Sequence, residues 1–148
     1  MIPMFRVWDK KYKQMHKKVA VIDYTQHGVA VYDEWDNLRL LDFDDAALLP
    51  STGFTDVEGE IEIHAGDIVN LHWFIYVCDP ISLGASEGEE EIKNVVIEYG
   101  SYDEELAPAF YFITNEEYVP LTAIPLHDGS FEYLGNKFEH PHLLEVYE

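Results

Sequence analysis

Seven histidines and 29 acidic side chains are the residues of this chain that could support metal or acid–base chemistry. His140 and His142, beside Glu139, are the histidines closest together in the sequence. A structural zinc site usually draws Cys and His from paired, spaced clusters, and a catalytic site needs three converging ligands. The sequence has neither pattern, so we expect no metal and no other cofactor.

A second histidine pair, His64 and His72, flanks the turn-like dipeptide Gly66-Asp67. A hairpin at that dipeptide would bring the two rings together across neighbouring strands. A single histidine on a strand face is more often solvent-facing or hydrogen-bonded than bound to a metal. This pair is therefore no better a metal site than the first.

The patterns that accompany covalent or nucleotide-dependent catalysis are also missing. Neither Ser51 nor Ser101 lies in a Gly-x-Ser-x-Gly elbow, and neither glycine-rich phosphate-binding pattern occurs. The only cysteine, Cys78, falls inside a predicted core strand. With so many acids, proximity alone cannot nominate a general acid and base. We expect no enzymatic activity.

Aromatic residues are abundant, and Trp8, Trp35 and Trp73 with ten Tyr and eight Phe could form a platform for stacking sugars or bases. Small all-β domains commonly use such residues to fill cores and interfaces. We favour packing over a stacking platform.

Charge is divided unevenly along the chain. Six of the nine cations lie in the first eighteen residues beside a single acid, a formal +5 that leaves -25 for residues 19–148 out of a net -20. Because that remainder would repel a phosphate backbone, we expect no nucleic-acid binding by the acidic body. The basic residues could contact the acidic body of another copy, a contact that salt weakens, or form a solvated hairpin. These candidate self-association or partner contacts are Arg6, Lys10, Lys11, Lys13, Lys17 and Lys18.

The composition is typical of a folded protein in a reducing compartment. A chain of this length buries roughly 70% of its unfolded surface, which supports one sizeable core. The lone cysteine makes the cytoplasm the default location. The N-terminus lacks the apolar run of a signal peptide, and the longest apolar-leaning run, Ile68 to Cys78, is about half the ~20 residues of a membrane-spanning helix. We expect no membrane partner.

Turn signals and apolar runs predict strands through most of the chain. The first three, expected to form a β-meander, and the run after Asp36-Asn37 are Met4–Trp8, Val19–Tyr24, Val29–Tyr32 and Leu38–Phe43. One short helical turn, capped by Asp44 or Asp45, is predicted before Pro50.

The most strongly patterned stretch follows Gly66-Asp67. Alternation places one fully apolar set on one face and a mixed, aromatic set on the other, so this strand should be central or covered on both faces. The apolar set is Val69, Leu71, Trp73, Ile75 and Val77, and the mixed set is Asn70, His72, Phe74 and Tyr76.

From Asp79 to Glu105, nine acids face one base, Lys93, and we expect a mobile loop near Ile81–Glu91. Beyond it, the sequence predicts the strands Val95–Tyr99 and Ala109–Thr114 and an irregular connection over Glu116–Pro125. A hairpin with a type I′ turn is expected at Asp128-Gly129. Without a helical period or a repeat, the pattern indicates an all-β fold.

Three separated segments resemble the YopX family, small proteins of temperate phages and prophages of Gram-positive bacteria. The first matches F-R-x-W-D through Phe5, Arg6, Trp8 and Asp9. The second matches S-T-G-L-x-D-x-x-G-x-x-I-x-x-G-D-I-V through Ser51, Thr52, Gly53, Asp56, Gly59, Ile63, Gly66, Asp67, Ile68 and Val69. The third matches G-N-x-x-E-x-P-x-L-L through Gly135, Asn136, Glu139, Pro141, Leu143 and Leu144. Phe54 and His64-Ala65 depart from the pattern.

The resemblance implies a mainly β, pseudo-barrel fold with partial SH3-like character and a tendency to self-associate, with no established activity. It gives the matched residues no catalytic or binding role. Gly53, Gly59 and Gly66 should occupy turns that require positive φ or close backbone approach. We expect a single domain over 1–148, with an N-terminal β-meander subdomain at 1–50 and a barrel-like core at 51–148 that carries an acidic insertion near 79–105.

Three functions follow as hypotheses. The first is a non-enzymatic phage or prophage accessory protein in the bacterial host cytoplasm that forms homo-oligomers and binds another macromolecule, a host or phage protein. The second is an acidic decoy that mimics DNA and blocks a host nuclease or DNA-binding protein. The third and least favoured is a metal-dependent hydrolase.

Overall fold

The computed structural model describes residues 5–78 and 80–144, over which the chain forms thirteen β-strands, four short 3₁₀ turns and no α-helix. The strands are β1 Phe5–Asp9, β2 Gln14–His16, β3 Lys18–Asp23, β4 Gly28–Tyr32, β5 Leu38–Asp42, β6 Ala46–Thr55, β7 Glu62–His64, β8 Asp67–Cys78, β9 Ala85–Val96, β10 Glu98–Gly100, β11 Ala109–Thr114, β12 Glu117–Pro120 and β13 Phe131–Asn136. The 3₁₀ turns are Phe43–Asp45, Leu121–Ala123, Asp128–Ser130 and Pro141–Leu144. Nowhere in these two ranges is a helix long and apolar enough to cross a membrane.

The strands pair antiparallel in four small sheets, with the spatial orders β2-β1-β6-β7, β3-β4-β5, β13-β8-β9 and β10-β11-β12. Together they make a curled half-barrel, which confirms the predicted mainly β, barrel-like fold. The predicted positive φ is confirmed at all three glycines, with φ of 84° at Gly53, 73° at Gly59 and 90° at Gly66. Gly53 lies inside β6, where the register with β7 shifts, and not in a turn between strands.

Two clusters of buried side chains form the core. The larger contains Ile63, Val69, Leu71, Val95, Ile97, Phe112, Leu121 and Phe131. The smaller packs β1 against the β3-β4-β5 sheet and contains Val7, Val29, Val31 and Ala46. Strand β6 links them, because Ala46 belongs to the smaller cluster and Phe54 packs against the larger. Residue 50 lies inside β6, and the subdomain division there stays a prediction.

Strand β8 has two unlike halves. From Asp67 to Leu71 it lies between β13 and β9, where Val69 and Leu71 are fully buried. Beyond Leu71 its described residues pair with β9 alone, from His72 opposite Glu91 to Cys78 opposite Ala85. We call these two segments, 72–78 and 85–91, the β8–β9 arm. The expectation that this strand is central or covered on both faces is therefore confirmed for the first half and wrong for the second.

The N-terminal pairing differs from the predicted meander. Strand β1 pairs with the unpredicted β2 and with β6, and only β3, β4 and β5 form a meander. The predicted helical turn is a 3₁₀ turn whose cap is Asp42, which accepts a hydrogen bond from the Asp44 backbone N–H at 2.9 Å. The residues after it extend into β6 because Ala46 pairs with Asp9 of β1.

In the second half of the chain, pairing replaces predicted loops. Most of the expected loop at Ile81–Glu91 belongs to β9, and the expected irregular connection contains β12. The predicted type I′ turn at Asp128-Gly129 is wrong, and the chain forms a 3₁₀ turn there. The His127 ring accepts the Gly129 backbone N–H and the Ser130 hydroxyl accepts the His127 backbone N–H, so the two residues cap its N-terminus reciprocally. Cys78 is exposed rather than in a core strand, since it lies on the arm.

Candidate functional site

An open cavity of about 370 Å³ lies where β1, β7 and β13 converge. Residues from all three family-like segments meet at it, although they are far apart in the sequence. Arg6 comes from the first segment, and Asn136 and Glu139 come from the third. Asp67, from the second, is 2% exposed and ion-pairs with Arg6. We call this the polar cavity.

The Arg6–Asp67 ion pair borders the polar cavity through Arg6. One guanidinium nitrogen lies 3.5 Å from Asp67 Oδ1, and another donates to the Glu62 carbonyl at 3.3 Å. The second carboxylate oxygen of Asp67 accepts the His64 backbone N–H at 2.8 Å. These contacts tie β1 to β7 and β8 across 61 residues of sequence.

Burial changes the acidity of two groups here. It raises the pKa of Asp67 to about 7, against the opposing effects of the His64 N–H bond and the charges of Arg6 and Lys17. It also lowers the pKa of His64 to about 4, with the Arg6 charge acting in the same direction. His64 is thus neutral at pH 7, and its Nδ1, 3.0 Å from the Glu62 carbonyl oxygen, is the protonated nitrogen.

The turn after β13 closes the other side of the polar cavity. Asn136 donates through Nδ2 to Glu139 Oε1 at 2.9 Å, while its Oδ1 accepts the Glu139 and Phe138 backbone N–H groups at 2.8 and 3.1 Å. Burial raises the pKa of Tyr133, which hydrogen-bonds to Asn136. Phe138 stacks on Trp8 with ring centroids 5.3 Å apart. These polar groups mainly satisfy one another, and this arrangement holds three distant segments together.

Neither of the two histidine pairs considered from the sequence, both of which lie in the described part of the chain, forms a metal site. Strand β7, which carries His64, pairs with β6 rather than β8, so the expected hairpin at Gly66-Asp67 is wrong. The rings of His140 and His142 lie 6.1 Å apart, and His140 Nδ1 accepts the Asn136 backbone N–H at 3.1 Å. Within residues 5–78 and 80–144, no three His, Cys, Asp or Glu side chains gather in a group able to hold a metal ion.

The six basic candidate residues do not form one patch. Lys10, Lys11 and Lys13 are exposed on the β1–β2 turn, which we call the basic turn. Lys17 lies at the edge of the polar cavity, and Lys18 pairs with the exposed Asp36 at 3.1 Å. The side chain of Arg6 is 11% exposed and held in its ion pair. It lines the polar cavity together with Lys17 and does not belong to the basic turn.

The basic turn has a defined backbone. The Asp9 carboxylate, 2% exposed, accepts the backbone N–H groups of Lys11 at 3.0 Å and Tyr12 at 3.1 Å. Lys13 takes a positive φ of 55° and completes the turn. The Asp9 hydrogen bonds thus fix the backbone of a turn that exposes three lysines to solvent. The sequence pattern did not indicate this role for Asp9.

The register of the β8–β9 arm places aromatic residues opposite acids. Phe74 lies across from Glu89 and Tyr76 from Glu87. Directly opposite residues on an antiparallel pair point to the same face, so these four side chains share one face, with the pair His72 and Glu91 at its inner end. We call it the ladder face. The alternation of β8 was visible in the sequence, whereas its glutamate partners depended on the register with β9.

Nearly the whole chain matches the pattern of one protein family. The model for the YopX protein family matches residues 4–145. The chain belongs to the YopX family. No curated protein matches the sequence.

Two solved structures resemble this YopX-family chain over nearly their whole lengths. Protein EF1440 from Enterococcus faecalis is 22% identical, with 98% of this chain and 99% of that chain covered at a TM-score of 0.50. Protein yopX from Bacillus subtilis is 16% identical, with 95% and 97% covered at a TM-score of 0.50. At these identities the likeness concerns the fold alone.

Proposed function

We propose that this YopX-family chain is a non-enzymatic accessory protein, encoded by a phage or prophage, that assembles with copies of itself in the cytoplasm of the bacterial host. The assembly binds another macromolecule, a host or phage protein. The observation that carries this proposal is the basic turn, which presents exposed lysines on a chain whose remaining residues are strongly acidic.

The lysines of the basic turn are available to a partner. Of the ion pairs among the described residues, none engages Lys10, Lys11 or Lys13. Unlike charges on separate molecules speed encounter and orient the contact, and both effects weaken with salt. A fixed turn loses less conformational freedom on binding than a flexible tail.

The polar cavity supports the non-enzymatic part of the proposal. Both Asp67 oxygens have partners within hydrogen-bonding or ion-pairing distance, and the Glu62 carboxylate accepts the Ser51 hydroxyl at 2.6 Å. A perturbed pKa in a cavity is a sign of catalysis only when a reacting group is placed beside it. Here the perturbed groups join strands.

Absolute mass by light scattering after size exclusion, at low salt and near 1 M salt, tests the assembly. The wild type should form a defined multimer at low salt and lose mass at high salt. Lys10→Gln/Lys11→Gln/Lys13→Gln should lower the mass at low salt. The matched control Ser101→Glu/Ala107→Glu/Thr122→Glu changes net charge equally at exposed positions and should keep it. A monomeric wild type in both conditions would refute the proposal.

The DNA-mimic decoy has one observation in its favour, the row of Glu87, Glu89 and Glu91 on the ladder face. Alternate residues of a strand lie about 6.8 Å apart. Duplex DNA carries one charge per about 1.7 Å of axis, so the row is roughly fourfold sparser. Competition with duplex DNA for a restriction enzyme or nucleoid protein tests this second candidate, and no competition at high excess would eliminate it.

A further inference from the structure

We infer that the ladder face of the β8–β9 arm is the receptor for the basic turn of a second copy of this chain. The inference rests on the proposed self-assembly and names its second surface. It follows from the strand pairing, exposure and charge of the arm, which together favour a partner that presents lysine side chains.

The arm lacks the support that the rest of β8 has. Among the described residues, its seven cross-strand pairs, His72–Glu91 to Cys78–Ala85, have no third strand beside them. A two-stranded hairpin alone is only marginally stable in water. Phe74 is 46% exposed and Tyr76 is 79% exposed, so the aromatic side of the ladder face is open to a partner.

The ladder face suits lysine side chains in particular. The aliphatic stem of a lysine packs on an aromatic ring, and its ammonium group is attracted both to the ring face and to a nearby carboxylate. Phe74 with Glu89 and Tyr76 with Glu87 each place a ring and an acid directly across the strands. The face therefore offers two adjacent binding positions for lysine, each made of one aromatic ring and one carboxylate.

The basic turn is complementary in charge and in form. Lys10, Lys11 and Lys13 project from one short turn whose backbone Asp9 fixes. Lys11 already lies over a ring in its own chain, with its Nζ 5.5 Å from the Tyr12 centroid. A second copy is thus the occupant that the charges on this chain favour.

The contact joins two different surfaces. It can form twice across a two-fold axis, as a reciprocal pair in which each turn meets the other's arm, or repeat head to tail as a closed ring or an open filament. In the pair and in the ring every arm and every turn is occupied, so either gives a multimer of one defined mass, whereas a filament gives a broad distribution of mass.

A reciprocal charge swap tests the inference. The arm variant Glu87→Lys/Glu89→Lys and the turn variant Lys10→Glu/Lys11→Glu/Lys13→Glu should each self-associate at least about tenfold more weakly at low salt, as expected for facing charge pairs turned repulsive. Mixed, the two should associate, because each swapped surface meets a complementary one. Sedimentation velocity with one labelled variant measures this. The control Glu104→Lys/Glu105→Lys makes the same charge change as the arm variant, at exposed acids outside the arm. It should leave wild-type association intact.

The outcomes separate this inference from the proposal beneath it. If the turn variant dissociates while the arm variant keeps wild-type mass, the arm is not the receptor, although assembly through the turn stands. If both variants dissociate but their mixture does not recover, the two surfaces do not meet and the inference is overturned. Recovery in the mixture also shows that both variants are folded. A monomeric wild type removes both ideas.

Discussion

The two halves of strand β8 share one alternation of side chains but differ in what lies beside them. In the first half, Val69 and Leu71 are fully buried, with β13 on one side and β9 on the other. In the second half, Ile75 continues the same face yet is only partly buried, and Tyr76 on the opposite face is 79% exposed. Alternation therefore assigns side chains to faces, and the neighbouring strands decide whether a face is covered.

The change between the halves has a local cause. The first residue of β13, Phe131, pairs with Leu71, and the 3₁₀ turn Asp128–Ser130 directly precedes it. At the same level the register of β8 with β9 shifts between Val69 and Leu71, where Asn70 Oδ1 accepts the Asn94 backbone N–H at 3.0 Å. Such irregularities bend and twist a strand pair. The arm thus begins where the third strand is lost.

The largest expected effect comes from truncating one face of β8 in each half. Leu71→Ala should reduce the free energy of unfolding by about 2–5 kcal/mol, because it leaves a cavity in the larger core cluster. Ile75→Ala, on the same face of the arm, should cost less than half as much. Urea denaturation at high salt measures both, and equal losses would contradict the difference between the halves.

Two glycines sharpen the same comparison. At Gly66, before β8, φ is 90° and an added Cβ would lie 2.8 Å from the Phe138 ring. Gly66→Ala should destabilise by about 1–3 kcal/mol through backbone strain and displacement of that ring. At Gly88 in the arm, an added Cβ would lie 3.1 Å from Ile75 Cγ1 and 3.9 Å from the Ile75 carbonyl oxygen. Gly88→Ala should destabilise by less than about 1 kcal/mol, because Ile75 is only partly buried and can shift. Thermal melts compare the pair, and the reverse order of stability would be inconsistent with this packing.

The base of β8 should also carry opposing pH effects. Because the pKa of Asp67 is raised to about 7, its contribution to stability falls as pH rises from about 4 to 7. Because the pKa of His64 is lowered to about 4, its contribution is lost as pH falls from 6.5 towards 4. Between pH 4 and 6.5 each group changes the free energy of unfolding by up to about 1.4 kcal/mol per pH unit. The two changes have opposite signs and cancel.

Single substitutions should expose each slope relative to the wild type. Asp67→Asn leaves the His64 effect, so its relative stability should rise with pH between 4 and 6.5. His64→Gln leaves the Asp67 effect, so its relative stability should fall with pH over the same range. Urea melts at several pH values measure these differences. Profiles parallel to the wild type would show that burial does not shift these two groups.

The smallest effect is expected on the ladder face. Glu87→Gln/Glu89→Gln should change the free energy of unfolding by less than about 0.5 kcal/mol, since both side chains are exposed and lie away from the two core clusters. Chemical denaturation at high salt, where association is weak, provides the measurement. A loss above about 1 kcal/mol would mean that these acids support the fold itself.

Local sequence determined the elements that depend on neighbouring residues. The alternation from Val69 onward placed Leu71 and Tyr76 on opposite faces, and the spacing of Gly53, Gly59 and Gly66 anticipated their positive φ. The family-like segments identified the YopX relationship. Each of these signals is read from residues close together in the chain, because alternation and turn geometry are local properties of the backbone.

Only the tertiary structure decided which distant segments pair. The glutamates and glycine of β9 have low strand propensity and predicted a loop, yet pairing with β8 extends them. Arg6, inside a predicted strand, and Asp67, in a predicted turn, meet as an ion pair because β1 pairs with β6 and β6 pairs with β7. Strand β13 pairs with β8 only as far as Leu71, and the arm begins beyond that residue. This limit is also set by a long-range pairing. Such contacts depend on the register of remote strands, which local propensity does not specify.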